Sequence, residues 1–277
     1  MVGREGVRLS LAGAQDKLPV LFRSGRFALP LGNTPSTHIL KPEAEHFPGL
    51  AANELYCMTL AKTIGLNVPD TKFYKIGDKA SILVERFDRD TDKNGITHRI
   101  HQEDFCQALG YPPEMKYQAE GGPALRDCIS LLREWSTTPV LDIRAFVDGL
   151  IFNLIIGNAD AHGKNYSMLY MRKDRRLAPF YDLVCTLAWD ELSKTLSMNI
   201  GGCKQINAVV AGHWKKMAAE TGLGWPMIRE RIMDLARRVI DASGKVTPQT
   251  NEVDITMSER VAKIVCQRAE KMASLAE

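Results

Sequence analysis

Gly157-Asn158-Ala159-Asp160-Ala161-His162-Gly163-Lys164-Asn165, answered downstream by Phe180-Tyr181-Asp182, is the stretch that decides how the chain is read. Asp160 and Asn165 stand five positions apart, and Asp182 stands twenty-two beyond Asp160. An Asn carbonyl and an Asp carboxylate are hard oxygen donors that hold Mg²⁺ without fully neutralising it. A second carboxylate left uncoordinated beside them can orient a hydroxyl nucleophile. The pattern is short, and a polar turn between a helix and a strand would also satisfy it.

The flanking sequence favours chemistry over a plain turn. Upstream, Phe146, Val147, Leu150, Ile151, Leu154 and Ile155 make one apolar stripe at helical spacing with no Pro in it. A buried helix delivers the loop after it rigidly. Downstream, Tyr166–Tyr170 reads as a strand, Asp174 falls in a polar turn, and Leu177–Phe180 reads as the return strand. A hairpin brings its two ends together, so Asp160, Asn165 and Asp182 are expected to converge. Protein kinases set a catalytic base and two magnesium ligands in this order.

Bulk properties narrow the class. The chain has 277 residues, 45% of them hydrophobic and 25% charged, which suits a large core and two lobes. A formal net charge of +3 is too small to argue for nucleic acid. The six Cys are scattered, with no CxxC pair and no zinc-like cluster, as expected of reduced thiols in a cytoplasmic protein. No apolar run is long enough to span a bilayer, and Met1 is not followed by a signal-peptide core. His98 and His101 lie on a polar stretch and are read as surface residues.

The first half reads as strands around one helix: Val7–Leu11, Leu18–Phe22, Thr37–Lys41, helix Leu50–Ile64, then Lys72–Ile76 and Ala80–Glu85. The charged, turn-rich segment after Phe87 reads as a boundary between lobes, at residues 1–88 and 89–277. Beyond it the chain is expected to be mostly helical: Gln102–Leu109, Ala124–Glu134, Leu141–Ile156, Asn207–Thr221, Trp225–Ala242 and Thr256–Ala276. Asp190–Lys194 falls where an activation loop would be and is given no role, and Trp214 and Trp225 are read as core anchors. The fold class is α+β, a small sheet-rich lobe followed by a larger helical one, in the bilobal protein-kinase outline.

Within the first lobe, small residues at Ala12, Gly13 and Ala14 would let backbone N–H groups approach a phosphate, though a hairpin turn also favours them. Lys41 ends a strand, and Glu54 falls on the helix stripe Ala51-Glu54-Met58-Ala61. Burying Glu54 alone would cost several kcal/mol, roughly, so it must pair or reach water. A Lys41–Glu54 pair would aim the ammonium at phosphate.

These segments, in this order, resemble the HipA-type toxin kinases of bacterial toxin–antitoxin systems. The resemblance is carried by Val7–Lys17, Thr37–Lys41, Asn53-Glu54, Gly65–Pro69, Val84–Arg89, Gln102–Asp104, Lys116-Tyr117, Gly121–Pro123, Asp160–Asn165 and Pro179–Asp182. It implies a Ser/Thr protein kinase using ATP and Mg²⁺. Asp160 would orient the substrate hydroxyl, and Asn165 and Asp182 would hold Mg²⁺. Ala12, Gly13, Ala14, Gln15, Asp16 and Lys17 would cover the nucleotide, with Lys41, His162, Lys164 and Tyr181 also at it and Glu85, Arg86 and Phe87 as the hinge. Ser10 would be autophosphorylated, switching the kinase off, because phosphate there would compete with that of ATP.

The resemblance further implies a HipB-like DNA-binding antitoxin as partner, contact with DNA only through it, an aminoacyl-tRNA synthetase as substrate, and no membrane. One departure stands at the front. HipA proteins carry a subdomain of roughly a hundred residues before this motif, whereas here the motif begins within ten residues of Met1. Either the chain is similar to the short HipT-type kinases, joined by a small HipS-like protein, or it is truncated. In both cases an uncovered sheet edge or apolar patch is expected on the small lobe. A catalytically silent kinase fold within a repressor complex and a small-molecule kinase remain as alternatives.

Overall fold

The computed structural model describes residues 15–246 and 253–276. The expected strand Val7–Leu11, and with it Ser10, Ala12, Gly13 and Ala14, lies outside the described residues. The elements run β1 (Leu18–Arg23), β2 (Arg26–Ala28), β3 (His38–Pro42), α1 (Leu50–Thr63), β4 (Thr71–Ile76) and β5 (Lys79–Glu85). Next come β6 (Arg89–Thr91), β7 (Thr97–Arg99), β8 (His101–Asp104), α2 (Phe105–Ala108), α3 (Leu125–Trp135) and α4 (Pro139–Ile156). The rest is β9 (Ser167–Tyr170), β10 (Arg175–Leu177), β11 (Thr195–Ile200), β12 (Cys203–Gln205), α5 (Ala211–Thr221), α6 (Trp225–Ser243) and α7 (Ile255–Ala276).

Five antiparallel strands make the first sheet, in the order β2-β1-β3-β5-β4. Ser24 and Gly25 both take positive φ, 49° and 77°, the combination that joins two strands by the tightest hairpin. At the centre, Lys41 on β3 lies opposite Ile82 on β5. The β2 edge is short, and Leu29 and Leu31 just after it are 61% and 78% exposed.

Helix α1 is buried on nearly every face, Glu54 included. It is enclosed by β4 and β5 on one side and by α6 and α7 on the other. Its carboxylate therefore lies in the interior and needs a cation.

One expectation for the middle of the chain is corrected, and the turn-rich segment before it takes a definite form. The charged segment after Phe87 is a hairpin, β6 with β7, because the Asp92 carboxylate accepts from the backbone N–H of Asn94 and Ile96 and closes the turn. The expected helix Gln102–Leu109 is a strand followed by a single helical turn. Asp104 and Gln107 form a reciprocal capping box, so the helix starts only at Phe105, while residues 101–104 pair with β9. The hairpin β11–β12 was not anticipated at all.

Helix α4 starts at Pro139 and stops at Gly157, whose φ of 76° suits glycine. It crosses α6 and α7 in the core. There Arg231 donates to the two oxygens of Asp148 at 2.7 and 2.9 Å, both residues being buried. Arg231→Ala would strand Asp148 among apolar neighbours, and we expect a loss of about 3–5 kcal/mol in urea unfolding. Trp214 is fully buried, Trp225 only half-buried. Of the cysteines, all free, five are buried and Cys266 half-buried.

Candidate active site

Polar side chains both near and far in sequence hold the loop after α4. Asn153, one turn from the end of that helix, accepts from Asn158 at 2.8 Å, and Asn158 in turn accepts from the backbone N–H of Asp160 at 3.1 Å. Thr186 accepts from Ala159 N–H and donates to the Gly157 carbonyl, both at 3.0 Å. The Ser197 hydroxyl holds the Ala159 carbonyl from β11. The backbone before Asp160 is thus pinned from three directions. The Tyr117 hydroxyl donates to the Asp160 carboxylate at 3.1 Å.

Asn165 folds back so that its Oδ1 accepts from His162 N–H at 3.0 Å, while its Nδ2 lies 3.5 Å from Asp182 Oδ2. Asp182 has φ 54°, one of two non-glycine residues with positive φ among those described. That conformation costs of order 1 kcal/mol and is tolerated best by Asp and Asn. Its segment is tied to α1 by Asn53, which bonds both the N–H and the C=O of Cys185, at 2.8 and 3.0 Å. On the other side, Phe180 packs over Gly149 of α4, where an added Cβ would come within 2.5 Å of the ring. Gly149→Ala gains about 1 kcal/mol of helix propensity. It forces a ring held by the core to move, at about 1–3 kcal/mol. We expect net destabilisation in thermal unfolding.

Lys41 reaches across from the sheet. Its ammonium lies 2.5 Å from Glu54 Oε1 and also contacts Asp182 Oδ1. Burial alone would push the ammonium down, but Asp182 and Glu54 outweigh it and hold Lys41 above its ordinary range. Burial pushes Glu54 up against the pull of Lys41. For Asp182, burial is overcome by Lys41 and Lys17, which hold the carboxyl well below the usual carboxylate range.

Two cavities meet here. One, of about 270 Å³, is lined by Gln15, Lys116, Asp160, His162, Asn165 and Thr186. The other, of about 350 Å³, is lined by Ile39, Val84, Glu85, Arg86, Phe87 and Gln102. Lys17, Lys164, Tyr181 and Asp182 line both. Phe87 stacks on Tyr181, ring centres 5.5 Å apart. Together the cavities suit an elongated ligand with a flat apolar end and an anionic end. The donors at the anionic end are the Asp160 and Asp182 carboxylates, hard oxygens that fit Mg²⁺, and the Asn165 amide, whose oxygen also accepts from His162 N–H while its nitrogen faces Asp182.

Of the site residues named from sequence, Gln15, Lys17, Lys41, Glu54, Glu85, Arg86, Phe87, Asp160, His162, Lys164, Asn165, Tyr181 and Asp182 come together around these cavities. Asp16 is exposed and lines neither. Sequence reasoning gave no role to Tyr117, Lys116 or Gln102. The Gln102 Oε1 is buried and accepts no hydrogen bond from the described residues. Its signal was hidden by the helix expected over that segment.

Comparison with known proteins bears on the family and the fold. A family model described as the HipA-like C-terminal domain matches residues 9–243. Y4mE of Sinorhizobium fredii, named as a candidate kinase, is 46% identical over 92% of this chain and 61% of its own length. The serine/threonine-protein kinase toxin HipA of Shewanella oneidensis is 34% identical over 86% of this chain and 57% of its own. The chain thus spans about three fifths of these relatives. HipA in a solved Shewanella oneidensis complex with HipB and operator DNA superposes with a TM-score of 0.90 at 29% identity, over 99% of this chain and 67% of that one. The Helicobacter pylori proinflammatory kinase CtkA superposes at 0.63 and 15% identity, over 99% of this chain and 94% of its own, which bears on the fold alone. The fold is kinase-like, and the chain belongs to the HipA-like C-terminal domain family.

Proposed function

We propose that the chain is an ATP-dependent Ser/Thr protein kinase of the toxin type. The observation that carries the reading is the meeting of Asp160, Asn165 and Asp182 in one cavity, beside a buried Lys41–Glu54 pair. Residues 1–88 would form the nucleotide-covering lobe and 89–277 the catalytic lobe. Bound Mg²⁺, held by Asn165 and Asp182, would neutralise charge on the phosphates. Lys41 orients the phosphates from the sheet side, with Glu54 fixing its ammonium. Asp160 accepts the proton of the incoming hydroxyl, and Tyr117 holds its carboxylate in place. The backbone of Glu85–Phe87 meets the adenine edge, and the buried Gln102 Oε1 awaits a donor from the nucleoside.

The same reading gives Ser10 as an inhibitory autophosphorylation site and an aminoacyl-tRNA synthetase as substrate. A HipB-like antitoxin is the proposed partner, with DNA reached only through it. The β2 edge, which pairs with no further strand among the described residues, together with exposed Leu29 and Leu31, is where a small HipS-like protein or a preceding subdomain would pack.

The test is incubation of the purified protein with γ-labelled ATP and Mg²⁺, alone and with bacterial lysate, followed by phosphopeptide mapping. Label on protein Ser or Thr is expected. Label only on small molecules, or none, would sink the proposal.

A further inference from the structure

Asp182 carries two cations. Its Oδ1 contacts Lys41, and its Oδ2 accepts from Lys17 Nζ at 2.9 Å. The two lysines are not equivalent. Lys41 is 5% exposed and pinned to Glu54. The Lys17 side chain is 49% exposed, and among the described residues it hydrogen-bonds Asp182 alone. Gln15 Nε2 donates to the Pro42 carbonyl at 3.1 Å, which fixes the segment entering β1 against the end of β3 and holds Lys17 over both cavities. Asn165 faces the same oxygen that Lys17 occupies.

We infer that Lys17 is a stand-in for the metal, able to cap Asp182 in metal-free protein and to pass to phosphate when Mg²⁺ enters with the nucleotide. The inference rests on the kinase reading of the site. A divalent ion at Asp182 must take the oxygen that Lys17 holds, because the other is locked in the buried pair. An exposed ion pair is weak enough to exchange, yet an ammonium left beside a divalent ion repels it. Water can solvate the released ammonium, but only an anion both receives it and offsets the charge of the metal. Metal should therefore bind poorly to nucleotide-free protein and well once ATP phosphates are present. The two arrive as one unit.

The experiment is titration of the nucleotide-free full chain with Mn²⁺, read by electron paramagnetic resonance of the free ion. Lys17→Met should tighten Mn²⁺ binding about tenfold, the scale set by one removed charge at a partly exposed site. Lys17→Arg, which keeps the charge, should bind Mn²⁺ like wild type. In an Asp182→Asn background Lys17→Met should change nothing. A Lys17→Met dissociation constant within about threefold of wild type, or an Arg variant as tight as the Met one, overturns the inference. If wild type in the same preparation still transfers phosphate, Lys17 alone has been misread. If it neither binds ATP nor transfers phosphate, the kinase reading falls with it.

Discussion

Asp160→Asn is expected to lower phosphoryl transfer about a thousandfold, within the range a positioned general base contributes, while leaving ATP binding and thermal unfolding close to wild type. The substitution is nearly isosteric. An Asn oxygen can still accept from Tyr117, now bonded to the carboxylate at 3.1 Å. The tie to Asn158 runs through the backbone N–H of residue 160 and survives any side-chain change. What would be lost is the basic oxygen proposed to take the hydroxyl proton. Parallel measurement of labelled transfer, nucleotide binding and melting separates this from misfolding. Transfer within tenfold of wild type would remove Asp160 from the role of base.

The geometry around Asp160 shows what was readable in advance and what was not. The β9–β10 hairpin could be read because two mostly apolar runs flank a polar turn, although its return strand is Arg175–Leu177 and not the Leu177–Phe180 expected from sequence, and that hairpin brings Asn165 within 3.5 Å of Asp182. The Lys41–Glu54 pair could be read because an acid on an apolar helix stripe needs a cation, and the next strand back ends in one. The strand over residues 101–104 was missed for a physical reason. Its partner β9 is more than sixty residues away, and local spacing cannot report a non-local pairing. With it went Gln102 and the start of the second cavity. The support from Thr186, Ser197 and Asn53 was equally hidden, since each bonds a backbone far away in sequence.

Lys41→Met tests the centre of that arrangement, where stability and binding depend on one ammonium. Lys41 is the cation that both Glu54 and Asp182 contact from within the core. Its loss leaves the Glu54 carboxylate buried with no compensating charge and Asp182 with Lys17 alone. We expect about 3–5 kcal/mol of destabilisation at pH 7, the usual result of breaking a buried pair from one side. We also expect transfer to fall at least about a hundredfold through loss of the proposed phosphate contact. The pH dependence has a definite sign. Because Asp182 is held below the ordinary carboxylate range, its contribution is complete above about pH 3.9 and fades as pH falls through the folded value. In the variant, Glu54 loses the ammonium that opposes the upward push of burial, so the folded state gains from taking up a proton. The wild-type advantage should therefore be widest at neutral pH and narrow on acidification toward pH 4. Urea titrations at pH 7 and pH 4 check this, and an equal gap at both would show that the carboxylates are not what Lys41 stabilises. Adding Glu54→Gln to the variant should restore part of the loss at pH 7, because it removes the unpaired charge while keeping the side chain's volume in the core.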